Sequence, residues 1–456
     1  MRQATHDNAA ASSAEGAKLK TVVKLMLGMS ALAGAGAAAL VWSLNRLDEV
    51  DTHVILAAAA PSEALIARGA YLARAGNCMG CHTAQGGERY AGGRPIATPF
   101  GTVFASNLTP DDQTGIGAWS STQFWRALHN GRSKNGRLLY PAFPYPNYTQ
   151  VTREDSDAIF VYLNSLPAVA QPNQRHALRF PYNLQTALAV WRALYFRPGV
   201  HQPDASRSAP WNRGAYLVKG LGHCGACHTA RNALGASSQE MDLAGGLIPM
   251  QNWYAPSLTS PNEAGVGQWN RAEIVTLLKN GIAPRASVSG PMAQVVRHST
   301  QYLSHEDLGA MAQFLMELPT ADQKSGAPAP SASAPPAPTL NAARGAKLYE
   351  QHCAQCHGKN GQGVGGQGAP NAYPALAGNR AITMTQTVNL VQMVLNGGYA
   401  PATQGNPRPF GMPPFVLVLN DTDVAAVLTH IRRSWGNQAS AVTPLEVNRI
   451  REKQAD

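Results

Sequence analysis

All six cysteines of the 456-residue chain fall in three copies of one pentapeptide, Cys-x-x-Cys-His: Cys78, Cys81 and His82; Cys224, Cys227 and His228; Cys353, Cys356 and His357. Two thiols one helical turn apart can each add to a vinyl group of a haem. The histidine that follows then lies beneath the ring with a nitrogen free for iron. A redox dithiol has no use for that histidine, and zinc would want two more Cys or His ligands at short spacing in every copy. The pattern points to three covalently bound haem c groups, with zinc and dithiol chemistry as the weaker rivals.

If each histidine is a fifth ligand, each copy needs a sixth. Met292 in "SGPMAQVV" and Met412 in "PFGMPPF" stand in proline-bearing loops at matching places, and a thioether there favours ferrous iron. Met311, Met316, Met384 and Met393 lie in helical patterns and read as core residues. The first copy has Phe143 at the matching place, in "LLYPAFPYPNY", and phenylalanine cannot bind iron. Three outcomes stay open for that site: five-coordinate iron, ligation by His129 from "RALHNG", or a ligand from a partner chain.

The segments that must position these groups repeat with them. "RGAYLARAGNCMGCHTA" returns as "RGAYLVKGLGHCGACHTA" and more loosely as "RGAKLYEQHCAQCHGKNG". Each is followed by a loop, an amphipathic helix ended by glycine, and a closing helix ended by proline or a loop. Gly69, Gly214 and Gly345 would let the closing helix approach at Tyr162, Phe314 and His430, of which His430 reads as packing and not as an iron ligand. Carbonyls in proline-bearing loops, such as Pro95 to Pro99 or Pro374, are expected to accept the second ring N–H of the ligand histidines.

The repeats divide the chain into domains at 62–167, 207–320 and 341–437. A packed connector at 168–206 carries Trp191, Tyr195 and Phe196, a Pro/Ala-rich linker spans 323–340, and a tail runs over 438–456. Ahead of them, Leu25 to Leu44 has no charged residue and is long enough to cross a bilayer. Lys18, Lys20 and Lys24 precede it and Asp48, Glu49 and Asp51 follow, which puts residues 1–24 in the cytoplasm and the rest outside. A cleaved signal peptide, cut after Ala31-Leu32-Ala33, is the alternative. The net charge of +10 is scattered and forms no Lys/Arg cluster, so it argues for a solvated docking surface and against nucleic-acid binding. No Rossmann fingerprint, P-loop or nucleophile elbow is present.

The order of CxxCH helix, loop, ligand loop and closing helix resembles class I cytochromes c. From Ala67 to Trp435, "PFGTVFASNLTPDDQTGIGAWS", "WNRGAYLVKGLGHCGACHTARN" and "YPALAGN" resemble the three-haem cytochrome c subunits of bacterial membrane-bound dehydrogenases. The resemblance implies a mainly α fold of three tandem class I cytochrome c domains behind one N-terminal transmembrane helix. It also implies placement on the bacterial inner membrane, with the haem domains in the periplasm. Such a subunit takes electrons from a catalytic dehydrogenase subunit and passes them to ubiquinone or a terminal oxidase. "YPAFPY" in place of "YPAMPY" is more similar to the cytochromes that accompany molybdenum hydroxylases, a molybdopterin large subunit with a small iron–sulfur subunit. Quinoprotein alcohol dehydrogenases and flavin-dependent sugar or gluconate dehydrogenases are the alternative partners. A haem enzyme that uses an open first haem is the rival from another class.

Overall fold

The computed structural model describes residues 4–46, 61–238, 242–320, 340–366 and 369–452. The 323–340 linker expected from composition lies outside the described residues but for its last position. Two compact units make up the chain.

In the first unit, α1 (Ala4–Leu44) contains an apolar stretch, Val23–Leu44, of mean hydropathy 1.7, none of it buried. Among the described residues a Cβ added at Gly28, Gly34 or Gly36 would meet nothing within 4 Å. The same unit contains a second helix, Gln185–Tyr195. The side chain of Asn45 donates to the carbonyl of Ala189 at 3.0 Å and accepts from Nε of Arg192 at 3.1 Å. The segment expected as a packed connector, 168–206, thus groups in two parts. Residues 168–183 bond to the first repeat, where Asn107 Nδ2 donates to Val169 O at 2.8 Å, whereas 184–197 group with α1.

The second unit repeats one helix crossing three times. In the first repeat α2 (Glu63–Ala75) carries the CxxCH turn at its end, α3 (Ser121–Asn130) follows, and α4 (Arg153–Asn164) closes over α2. The second repeat is built from α5 (Ala209–Ala215), α6 (Arg271–Asn280), α7 (Gly290–His298) and α8 (His305–Met316). The third has α9 (Leu340–His352), α10 (Val388–Asn396) and α11 (Asp421–Arg433). The crossings need the three glycines. A Cβ on Gly69 would strike the carbonyl of Ala158 and Cβ of Tyr162; Gly214 faces Ala310 and Phe314, and Gly345 faces Ala426 and His430, in the same way. Each middle helix stops at a left-handed glycine: Gly131 at φ 58°, Gly281 at φ 77° and Gly397 at φ 65°.

One difference between the copies has a structural cause. Arg68 stands ten residues before Cys78, whereas Arg213 stands eleven before Cys224. The extra residue is absorbed as a π-helical turn, Tyr216–Leu221, which continues α5. The first two repeats then bury one common core, in which Leu72, Ile159 and Leu163 join Leu217, Leu221, Leu308 and Phe314. The third repeat has its own, around Val391, Leu395, Val424 and Leu428.

That third core also takes in part of the 438–456 segment. Pro444–Glu452 forms α12, whose Val447 and Ile450, three apart, are buried, while Arg451 pairs with Asp421 at 2.7 Å. Strands are short. The largest sheet among the described residues joins the hairpin of β1 (Pro95–Thr98) and β2 (Gly101–Phe104) to β3 (Ala177–Leu178).

Candidate haem sites

Each pentapeptide includes one helical turn, at Cys78–Cys81, Gly225–His228 and Ala354–His357. The histidine that ends each motif is oriented by one hydrogen bond from Nδ1, to Ser106 O at 2.7 Å for His82, to Pro256 O at 2.7 Å for His228 and to Pro374 O at 2.9 Å for His357. Such a bond fixes the tautomer and leaves Nε2 for a metal. Burial lowers the pKa of all three, which keeps the rings neutral as ligation requires. Proline carbonyls serve the second and third sites. At the first the expectation fails, because Pro95–Thr98 is taken up as strand β1 and Ser106, beyond β2, supplies the carbonyl.

The thiols behave unlike a redox dithiol. Burial pushes Cys78 and Cys224 up to about 12 and Cys353 to about 11, opposite to the lowered pKa that makes such a pair reactive. Among the described residues no group of three or more His, Cys, Asp or Glu side chains is placed to hold a metal ion by itself.

A continuous cavity of about 450 Å³ joins the second and third sites. Its walls include Cys224, His228 and Met292 from one and Cys353, His357 and Met412 from the other. The remaining wall is largely apolar, and the indole Nε1 of Trp269, a buried residue on that wall, has no hydrogen-bond partner among the described residues. A flat apolar ring with a polar edge, held between His and Met, fits both the wall and the orphaned donor. Met292 lies in the first turn of α7 and not in a loop, and Met412 pairs with Gly398 in a two-residue strand. Met311 is a core residue, as read from sequence; Met384 and Met393 also line the cavity.

The first site is built differently. Phe143 packs on Tyr148 with ring centroids 5.4 Å apart, and Tyr148 donates to Gly76 O at 2.7 Å, just ahead of Cys78. His129 is stacked on Trp125 at 4.4 Å, with Nδ1 2.7 Å from Thr149 O. Lys279, its counterpart in the second repeat, also bonds a carbonyl just ahead of the closing helix, Leu303 O at 2.7 Å. His129 thus shares a structural task with a residue that is no haem ligand candidate.

Comparison with known proteins decides the family. The cytochrome c family model matches residues 66–167 and 342–435. The chain is 37% identical over 413 residues to the alcohol dehydrogenase (quinone) cytochrome c subunit of Gluconacetobacter polyoxogenes, covering 86% of this chain and 85% of that one. It is 38% identical to the gluconate 2-dehydrogenase cytochrome c subunit of Pantoea cypripedii, covering 86% and 91%. The chain belongs to the family of dehydrogenase cytochrome c subunits. It also resembles a subunit of the nicotinate dehydrogenase of Pseudomonas putida, at 37% identity over 85% of this chain but only 32% of that longer one.

For a cytochrome, two further residues matter that motif reading passes over. Arg94 donates to the carbonyl of Gly80, and Arg231 donates to that of Ala226 at 2.6 Å, each just before the second cysteine of its motif. Both guanidiniums brace an attachment turn and place positive charge beside it. Arginine outside a motif carries no spacing signal, and the two stand at different places, twelve residues after His82 and three after His228. His430 stands edge-on to Trp435, at 5.5 Å and 88°, in a packing position.

Proposed function

We propose that the chain is a three-haem electron-transfer subunit built from three tandem cytochrome c domains. On this reading α1 anchors it in the bacterial inner membrane, with the haem domains in the periplasm. Bound haem supplies one-electron redox chemistry. The chain supplies the rest: His82, His228 and His357 as nitrogen ligands, Met292 and Met412 as thioethers, and apolar walls that exclude water and favour the ferrous state. The observation that carries the reading is the single cavity with His228, Met292, His357 and Met412 on its walls. Ala75 and Asn77 of the first repeat line that cavity too, so the second site is the middle of a row. A row of sites with no substrate motif suits a relay between a donor at one end and an acceptor at the other, ubiquinone or a terminal oxidase.

The catalytic partner we favour is a molybdenum hydroxylase with a small iron–sulfur subunit. Phe143 in "YPAFPY" and the likeness to a nicotinate dehydrogenase subunit, named for an N-heterocyclic substrate, support it. The likeness to alcohol and gluconate dehydrogenase subunits supports the alternatives, a quinoprotein or flavoprotein partner. A second reading, a haem enzyme, draws on Phe143, which leaves the first site without a thioether.

Mass spectrometry of the chain matured in a bacterium competent for haem c attachment will show three haem additions, and two in a Cys353→Ala/Cys356→Ala variant. Two or fewer on the parent chain would sink the three-haem reading. Metal and cofactor analysis of the complex that co-purifies from native membranes will find molybdenum; pyrroloquinoline quinone or flavin without molybdenum would transfer the assignment to the alternatives.

A further inference from the structure

The first two repeats are joined by contacts that cross in both directions. Asp155, at the third position of α4, accepts from Arg68 of its own repeat at 2.5 Å and from the hydroxyl of Tyr216, in the second repeat, at 2.6 Å. Asp307, at the third position of α8, accepts from Arg213 of its own repeat at 2.8 Å and from the hydroxyl of Tyr71, in the first, at 2.6 Å. Each tyrosine oxygen also accepts from the N-cap amide of the opposite closing helix, Tyr71 from Ser304 N at 3.1 Å and Tyr216 from Thr152 N at 3.4 Å. The far ends of the same helices are tied the same way. Asn147 Nδ2 donates to Lys219 O at 3.1 Å, and Ser299 Oγ donates to Ala75 O at 3.2 Å.

These pairs describe a pseudo-twofold interface inside one chain. In each, the helix that leads into a CxxCH turn is held by the neighbouring repeat at its middle and near its C-terminal end. Tyr71 and Tyr216 stand three residues after Arg68 and Arg213, where the third repeat has Lys347 three after Arg344. The third repeat keeps its internal pair, Arg344 with Asp423 at 2.7 Å, but has no phenol to reach across. Burial and the facing carboxylates raise the pKa of both tyrosines, so each remains the donor its bond needs.

We infer that the reciprocal Tyr71–Asp307 and Tyr216–Asp155 bonds are a clasp that sets the spacing of the first two haem-attachment sites and thereby their electron exchange. The two tyrosines are positioning residues, and the inference rests on the haem reading above. The test compares the full haem-loaded chain with Tyr71→Phe, Tyr216→Phe and the double variant, which keep the rings and lose only the hydroxyls. Because the acceptors are carboxylates, each lost bond is expected to raise exchange of the amides at the ends of α2 and the π-helical turn by about tenfold, and the double variant by more. In the double variant the exciton couplet between neighbouring haems in Soret circular dichroism weakens, and electron exchange between them after flash reduction slows. Lys347→Tyr leaves all three readouts unchanged. Haem content by mass is read first, so fewer than three haems on the parent chain overturns the haem reading and not the clasp. A double variant with full haem content whose amide protection and couplet stay within about twofold of the parent overturns the clasp. So does an effect carried wholly by one tyrosine.

Discussion

Phe143 is the residue on which the character of the first haem site turns. Its ring can contribute packing but no lone pair, and the candidate His129 stacks on Trp125 with Nδ1 at the carbonyl of Thr149, an arrangement that leaves its Nε2 out of that bond. On the reading proposed above, with no thioether at this site, we predict a five-coordinate iron that binds carbon monoxide; a site that binds none points to His129 or to a ligand from a partner chain. Phe143→Met places a thioether where the second and third repeats have one. The substitution should abolish the carbon monoxide shift of that one Soret band and raise its potential by on the order of 0.1 V, a fraction of the range axial ligands command. An unchanged carbon monoxide titration would mean the side chain does not face the iron. At this scale the Cys-x-x-Cys-His motifs are legible in the sequence, because that pattern has one economical explanation. Sequence is a poor guide to Arg94, Arg231 and Ser106, whose roles depend on loop conformation and leave no periodic trace.

At the scale of elements the repeats are legible because glycine, proline and apolar spacing recur in step with the motifs. Gly69, Gly214 and Gly345 are legible as contact points, and the closing-helix carbonyls lie where a methyl would go. Gly214→Ala should therefore destabilise the second repeat by about 1–3 kcal/mol, measured by urea unfolding followed at the Soret band, with haem content retained. A loss well under that range would show that the crossing can widen freely. What sequence hides is the π-helical turn, since one inserted residue in an aligned repeat does not say whether helix or loop absorbs it. It also hides α12, because, of its apolar residues Leu445, Val447 and Ile450, only the last two are buried, too few to mark a face. The neighbour of the helix Gln185–Tyr195 is hidden too. Its aromatic residues suggest a packed connector, but the polar end of α1, through Asn45, is what it bonds.

Across the whole second unit, cores and clasps divide the molecule two to one. The first and second repeats share one hydrophobic core and the crossed tyrosine bonds, whereas the third repeat has a separate core. Its hydrogen bonds to the second include Asn389, which donates to Tyr254 O at 2.7 Å and accepts from its amide at 2.9 Å, Gln392, which donates to Asn252 O at 3.1 Å, and Arg380, which reaches the carbonyl of Pro261. Shared apolar burial couples unfolding far more strongly than a few surface hydrogen bonds do. Calorimetry of the haem-loaded chain should accordingly resolve two transitions for this unit, one for the first two repeats together and one for the third. Arg432 identifies which is which. Its guanidinium is fully buried in the third core and donates to Ile382 O at 2.6 Å, Met384 O at 2.8 Å and Ser440 O at 2.8 Å. Arg432→Met strands those carbonyls and should cost about 3 kcal/mol, lowering one transition and leaving the other in place. If both transitions move together, or only one is seen, the third repeat is not an independent folding body, and the division drawn from the cores is wrong.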